Sequence, residues 1–142
     1  EHIKKIAIAI GTAVVDSTVI DRLNILNATK LAMERALEDL KTKFDVVISD
    51  YVKLEKFNCI PLVKGDERSL SCACASVVAK VLRDRIMEHY HSHFPSFNFH
   101  KNKGYPTPDH LRALRELKPT PIHRKSFSPL RQRELYAYSR SA

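Results

Sequence analysis

Two aspartates sixteen residues apart, Asp50 and Asp66, are the residues in this chain best suited to chemistry. Each follows a short apolar run, Val46-Val47-Ile48 before the first and Ile60-Pro61-Leu62-Val63 before the second. Carboxylates delivered at strand ends are the hard oxygen ligands that Mg²⁺ or Mn²⁺ takes. Aspartates also cap and close turns at such places, and on spacing alone that structural role is the expected one. Two carboxylates are few for a two-metal centre, whose ions lie roughly 4 Å apart and share ligands. Glu67 adds a third beside Asp66, but it enters a helical first turn, where it complements the dipole.

A second kind of chemistry is legible further on. Lys101-Asn102-Lys103-Gly104-Tyr105 and His123-Arg124-Lys125-Ser126-Phe127 each combine cations with an aromatic in irregular backbone. That suits phosphate contacts with stacking on a base or sugar; two ordinary exposed loops are the alternative. His89, His91 and His93 look like a metal tract, yet only His89 and His93 share a helical face, and surface histidines are the expected reading. No Ser/His/Asp arrangement is readable, and three glycines in all leave no phosphate-cradling loop.

The elements that must position these residues follow from periodicity. Ile3 to Val15 alternates imperfectly and reads as a strand broken by Gly11. Asp16-Ser17 supplies a cap. Ile20 to Leu40 reads as an amphipathic helix, or a short helix joined to a longer one, closed by Lys41-Thr42-Lys43. Phe44–Ile48 is a continuous apolar run, as for a strand covered on both faces. Ile60–Val63 is the next strand. If both aspartates serve one site these strands are parallel, because a hairpin would place them at opposite ends. The connection Tyr51–Cys59 is short for such a crossover and shows no helical pattern.

After Asp66 a helix is expected to bury Leu70, Cys74, Val77, Val78, Val81 and Ile86 on one face. Arg83, Asp84, Arg85 and Glu88 lie on a solvated one, and the helix fades between His89 and Phe94. Residues 95–109 read as a loop of turn formers. Asp109 is expected to cap a helix through Leu111, Leu114 and Leu117. A last short helix is expected over Leu130–Tyr138.

At 142 residues the chain has the length and composition of one globular domain, 44% hydrophobic and 28% charged. No apolar run reaches the roughly 20 residues of a membrane span. The net charge of +8 is uneven. Residues 1–100 carry 14 Lys/Arg against 13 Asp/Glu, residues 101–142 carry 10 against 3. A basic last third on a near-neutral body is the footprint of a polyanion binder, or a solubility device. Three cysteines without disulfide or zinc-knuckle spacing point to reduced thiols and a cytoplasmic location.

Five collinear blocks strongly resemble ribonuclease HII. They are Ile20–Thr29, Val63-Lys64-Gly65-Asp66, Ala75–Val81 with Arg83-Asp84, Lys103-Gly104-Tyr105-Pro106-Thr107, and His123–Phe127. The similarity runs from about Ile3 to Pro129. It implies an α/β, RNase H-like fold: a mixed β-sheet flanked by helices, with a helical C-terminal extension. It also implies a partial catalytic domain over 1–129, with the basic part 95–142 packed on it rather than separate.

The implied activity is endonucleolytic cleavage of the RNA strand of RNA–DNA hybrids and at ribonucleotides embedded in duplex DNA. Four carboxylates hold two Mg²⁺ or Mn²⁺ ions in that family, and the resemblance makes Asp50 the third and Asp66 the fourth. Tyr105 matches the tyrosine that stacks on the sugar at the RNA–DNA junction. Lys64, Lys80, Lys103 and Arg124 fall at basic positions suited to phosphate contacts.

Tyr51 stands where the family has Gly, and Asn102 where it has His. The family's Asp-Glu-x-Gly-Arg-Gly strand, with the first two metal ligands, has no counterpart here. The chain therefore reads as the C-terminal two-thirds of such an enzyme, inactive alone, a monomer that needs the upstream segment. The alternative is a catalytically incomplete hybrid-binding fragment.

Overall fold

The computed structural model describes residues 1–128, 130 and 131. Its backbone divides into two compact units of interleaved sequence. The first comprises Glu1–Val15 and Ile25–Lys80, the second Asp16–Asn24 and the chain from Val81 onward.

The first unit is built on a parallel strand pair, β1 (Val47–Asp50) and β2 (Cys59–Leu62), in a register that sets Val47 opposite Cys59 and Asp50 opposite Leu62. The parallel pairing is the one a shared aspartate site requires. Eight residues, Tyr51–Asn58, make the crossover without a helix. They succeed because they carry their own core: Leu54 is fully buried, with Val52 and Phe57 packed around it and Val47, Cys59, Met33 and Leu37 completing the cluster. The Lys53 ammonium donates to the Cys59 carbonyl at 2.6 Å, which ties the connection back to β2.

Only one face of the pair is covered. Val47, Ser49 and Cys59 are buried, whereas the in-register Ile48 and Ile60 on the opposite face are 39% and 49% exposed. The expectation of a strand covered on both faces is thus corrected. Among the described residues the sheet is two parallel strands, and with its helices it fits an α/β, RNase H-like fold.

The first segment also departs from its pattern. His2–Ile6 forms a single helical turn (α1), and Ala7–Val15 is irregular rather than a strand. A strand needs a neighbour to take its backbone hydrogen bonds. Here the isoleucines that suggested alternation, Ile6 and Ile8, are 71% and 99% exposed. Gly11 nonetheless rests against the helix behind it, where an added Cβ would overlap the Ala36 carbonyl. The Thr12 N–H donates to Asp39 at 2.9 Å.

The helical stretch resolves into α2 (Ser17–Leu23) and α3 (Ile25–Asp39), broken at Asn24 with φ 69°. Asp16 caps α2 as its position promised, accepting from the Val19 N–H at 3.0 Å and the Thr18 hydroxyl at 2.6 Å. The basic Lys41-Thr42-Lys43 falls beyond the end of α3 rather than in its last turn. Following β2 come the short α4 (Gly65–Arg68) and the long α5 (Leu70–His93). The boundary between the units lies within α5, after Lys80. The face expected to be buried is partly open: Leu70, Val77 and Val81 are 76%, 51% and 46% exposed.

In the second unit the loop expected over 95–109 is more ordered than its composition suggested. Pro95–Phe97 is a 3-10 turn and Phe99–Asn102 a helical turn, α6. Phe97 and Phe99 form the centre of the core with Leu114 and Leu130. The next helix, α7 (Pro108–Glu116), is capped by Thr107 rather than Asp109; Thr107 Oγ1 accepts from the His110 N–H at 3.3 Å. Pro108 takes the first helical position, where its missing N–H costs nothing. Most of the last helix expected, Leu130–Tyr138, lies outside the described residues.

Candidate functional site

The two aspartates reach the same end of the parallel pair. Asp50 closes β1 opposite Leu62, and β2 runs on through Lys64, in the left-handed conformation at φ 55°, into α4. The Gly65 N–H donates to Asp50 Oδ1 at 2.8 Å, joining the corner that carries Asp66 to the end of the other strand. Gly65 stands in close quarters: a Cβ there would lie 3.0 Å from Asp50 Cα and 3.2 Å from the Ser49 carbonyl. Asp66 Oδ1 in turn accepts from the Glu67 N–H at 3.0 Å.

Both carboxylates are exposed, and among the described residues neither forms an ion pair. One oxygen of each is oriented by a backbone N–H while the side chain stays accessible. That donor chemistry suits a hard divalent cation, which binds through one or two carboxylates with water and substrate phosphate. It falls short of a protein cage, since no group of three or more His, Cys, Asp or Glu fit to hold a metal exists among the described residues. Glu67 points elsewhere, with Lys64 Nζ 3.3 Å away.

Tyr51 occupies a left-handed position at φ 65°. That is the physical reason a glycine suits the place after Asp50, and Tyr51 adopts it at a conformational cost.

The second unit assembles the remaining side chains. Lys103 (φ 49°) and Gly104 (φ 81°) turn the chain so that Tyr105 projects, its residue 52% exposed. The Arg83 guanidinium lies 5.4 Å from the Tyr105 ring centroid and donates to the Lys103 carbonyl at 3.0 Å. Lys103 Nζ meets Glu88 at 2.5 Å, with only 17% of the lysine side chain exposed. Arg83 and Glu88 are exposed, as expected of a solvated face, and also brace this loop. Asn102 is buried beneath it, donating to the Phe97 carbonyl at 2.7 Å and accepting from the Gly104 N–H at 2.8 Å.

Arg124 stands over the Phe127 ring at 4.4 Å. Its loop is held by Asp21, which accepts from the Lys125 N–H at 2.9 Å, the Ser126 N–H at 3.0 Å and the Ser126 hydroxyl at 2.6 Å. Burial alone would raise the Asp21 pKa, but those donors outweigh it and hold the carboxyl below its ordinary value.

Behind both loops sit His110 and His123, packed on Phe97 and Phe99. Burial, reinforced by the neighbouring His110, lowers the His123 pKa to about 4, so its ring is neutral near pH 7. Lys64 and Lys80 are exposed in the first unit, at the start of α4 and on α5.

Sequence reading singled out the aspartates, Tyr105 and Arg124 as candidates. It missed Asp21, Arg83 and the histidine pair, whose roles come from contacts across up to 105 residues of chain. Among the described residues no helix is long and apolar enough to cross a membrane.

Comparison with known proteins agrees with the resemblance. The family model for ribonuclease HII matches residues 1–129. The chain is 65% identical over 133 residues to the ribonuclease HII of Aquifex aeolicus, covering 94% of this chain and 68% of the relative. It is 46% identical over 129 residues to that of Caldanaerobacter subterraneus subsp. tengcongensis, covering 89% and 54%. To that of Sulfurihydrogenibium sp. it is also 46% identical over 129 residues, covering 90% and 66%. The chain thus spans from about half to two thirds of the length of these relatives.

Proposed function

Because the chain belongs to the ribonuclease HII family, we propose that it is the metal-ligating and hybrid-gripping part of an endonuclease. Its substrates would be the RNA strand of RNA–DNA hybrids and ribonucleotides embedded in duplex DNA. The observation that carries this reading is the delivery of Asp50 and Asp66 to one end of a parallel strand pair, with Gly65 bridging to Asp50.

Asp50 and Asp66 would hold Mg²⁺ or Mn²⁺. When bound there, such an ion would supply Lewis-acid activation of a water and charge stabilisation at the departing 3′-oxygen, giving 5′-phosphate and 3′-hydroxyl ends. Tyr105 would stack on the sugar at the junction, where the 2′-hydroxyl marks RNA. Arg124, Lys64 and Lys80 would contact phosphates, and Lys103 would do so by exchanging Glu88 for the nucleic acid. The protein would work as a monomer in the cytoplasm, with residues 1–129 as part of its catalytic domain.

One observation favours a narrower second reading for these 142 residues on their own. Among the described residues no group of three or more His, Cys, Asp or Glu fit to hold a metal exists, so the corner offers two carboxylates where two ions sharing ligands would want more. The remaining ligands would come from the family's Asp-Glu-x-Gly-Arg-Gly strand, outside these residues. Alone, the 142 residues would grip a hybrid without cutting it.

A single-ribonucleotide duplex tests both. The 142 residues are expected to bind it with strong salt dependence and to leave it intact in Mg²⁺. Binding should survive Asp50→Asn and Asp66→Asn. A chimera carrying the first part of the Aquifex aeolicus relative is expected to cut 5′ to the ribonucleotide and to lose that cutting in either variant. Robust Mg²⁺-dependent cleavage by the 142 residues alone would overturn the narrower reading. A chimera that folds and binds but never cuts would overturn the broader one.

A further inference from the structure

We infer that His110 and His123 form a hydrogen-bond relay of fixed tautomers that positions Tyr105 and locks its loop in register with the His123–Phe127 loop. The two ends of the relay settle the direction of every bond between them. At one end the Thr120 backbone N–H, which can only donate, points at His123 Nδ1 from 3.1 Å. The Thr120 hydroxyl lies 2.8 Å from the same nitrogen. His123 Nδ1 must therefore carry a lone pair, and the neutral ring has its proton on Nε2.

That Nε2 lies 3.2 Å from His110 Nε2, which must then accept. The His110 proton is left on Nδ1, 2.9 Å from the Tyr105 carbonyl, which can only accept. No other assignment satisfies all three contacts. A proton on both nitrogens of His110 would face the His123 Nε2–H across that 3.2 Å gap. A proton on His123 Nδ1 would face the Thr120 N–H.

The site enforces this arrangement. His110 is 4% exposed, and Phe97 and Phe99 present their rings edge-on to it. The Tyr105 carbonyl takes a second bond from the Thr107 N–H at 2.8 Å, so both of its lone pairs are engaged. The Tyr105 backbone is thereby pinned on the protein side while its ring projects. His123 is the first residue of the loop that carries Arg124, so one imidazole–imidazole bond couples the two aromatic-cationic loops. His110 and His123 are positioning residues; neither need touch nucleic acid. The consequence for recognition rests on the reading of Tyr105 given above, but the relay itself does not.

The test begins on the unaltered chain, by long-range ¹H–¹⁵N correlation of the imidazoles at pH 7. His110 is expected as the Nδ1–H tautomer, the less common one for a free imidazole, and His123 as Nε2–H. His110 found as Nε2–H, or either ring averaging between tautomers, overturns the proposal whether or not any variant folds. His110→Asn keeps a donor near the Nδ1 position, and His110→Phe removes it. The Tyr105 carbonyl ¹³C resonance should move in the second variant and stay close to its original place in the first. Equal movement in both counts against positioning.

Recognition is read as the ratio of affinities for a single-ribonucleotide duplex and its all-DNA counterpart. Tyr105→Ala is expected to lower that ratio roughly 10-fold, within the range for one stacked sugar or base. His110→Phe should give most of the same loss, with little further loss in the double variant. Additive losses that affect both duplexes equally would mark a merely structural role. If Tyr105→Ala leaves the ratio unchanged, the stacking reading fails, and the carbonyl resonance and tautomers still decide the relay.

Discussion

The two units solve the same problem, presenting polar groups at an exposed surface, in opposite ways. In the first, the carboxylate corner is oriented by backbone: a strand register and N–H donors from Gly65 and Glu67. In the second, the loops are oriented by side chains from distant parts of the chain: Asp21, Asn102, Arg83 and the histidine pair. Packing differs in the same sense. Of the eighteen exposed large hydrophobic residues among the described residues, fourteen belong to the first unit. A backbone-built corner tolerates thin packing around it because its geometry is local. A side-chain-built face needs a complete core to hold its braces.

The contrast is broken most directly at the metal ligands. Asp50→Asn and Asp66→Asn are each expected to weaken Mn²⁺ binding by at least about 10-fold, by titration followed with electron paramagnetic resonance. Thermal stability should stay close to that of the parent, because both carboxylates are exposed. Tyr105→Ala should leave Mn²⁺ binding unchanged. Metal binding insensitive to both aspartates would erase the distinction between the units.

The opposite pattern is expected at Asp21. Asp21→Ala removes three hydrogen bonds to the Lys125–Ser126 segment. It should cost about 1–3 kcal/mol in urea unfolding, the range for bonds to a charged acceptor. Nucleic-acid affinity should fall with it while Mn²⁺ affinity is retained.

Acid sharpens the comparison further. The folded His123 pKa of about 4 lies below the ordinary histidine value of 6.5. Above pH 6.5 both states are neutral there and its contribution is complete. Between 6.5 and 4 the unfolded chain binds the proton that the folded chain refuses, so stability falls as pH falls. The loss should be about 1–2 kcal/mol, allowing for solvent screening of a ring that is not fully buried. Asp21, held below its ordinary value, adds a further loss only under stronger acid. Urea midpoints measured from pH 8 to 4 should show the first decline, and His123→Gln should flatten it.

The smallest effect is expected at Tyr51. With φ 65° and 73% exposure, Tyr51→Gly should raise stability by less than about 1 kcal/mol. A loss of stability instead would show that the ring, not the backbone, decides this position.

How much was legible in the sequence divides along the same line. The strand pair and its aspartates were readable, because an apolar run ending in a carboxylate is a local pattern, and a shared site demanded parallel pairing. The cap at Asp16 was local too. The Ile3–Val15 segment misled because alternation predicts a strand only where a neighbour exists to pair with it. The 95–109 stretch misled because turn formers conceal Phe97 and Phe99, which build the core through a 3-10 turn rather than a regular element. Asp21 and the histidine relay left no local signal at all. Their partners are near in space and remote in sequence, and no spacing rule reaches that far.

That remoteness has a consequence for how the protein comes into being. Asp21 braces residues 104 and 105 positions later, and the Ser17 hydroxyl reaches the Pro121 carbonyl across 104. Closing so long a span adds little to the equilibrium cost of folding but slows its rate. The carboxylate corner, made from residues 47–68, closes over short stretches of chain, with the Gly65–Asp50 bond spanning 15 residues. The Lys125–Ser126 loop must wait for segments more than a hundred residues apart to meet. The corner is therefore expected to form early in folding and the braced basic loop late.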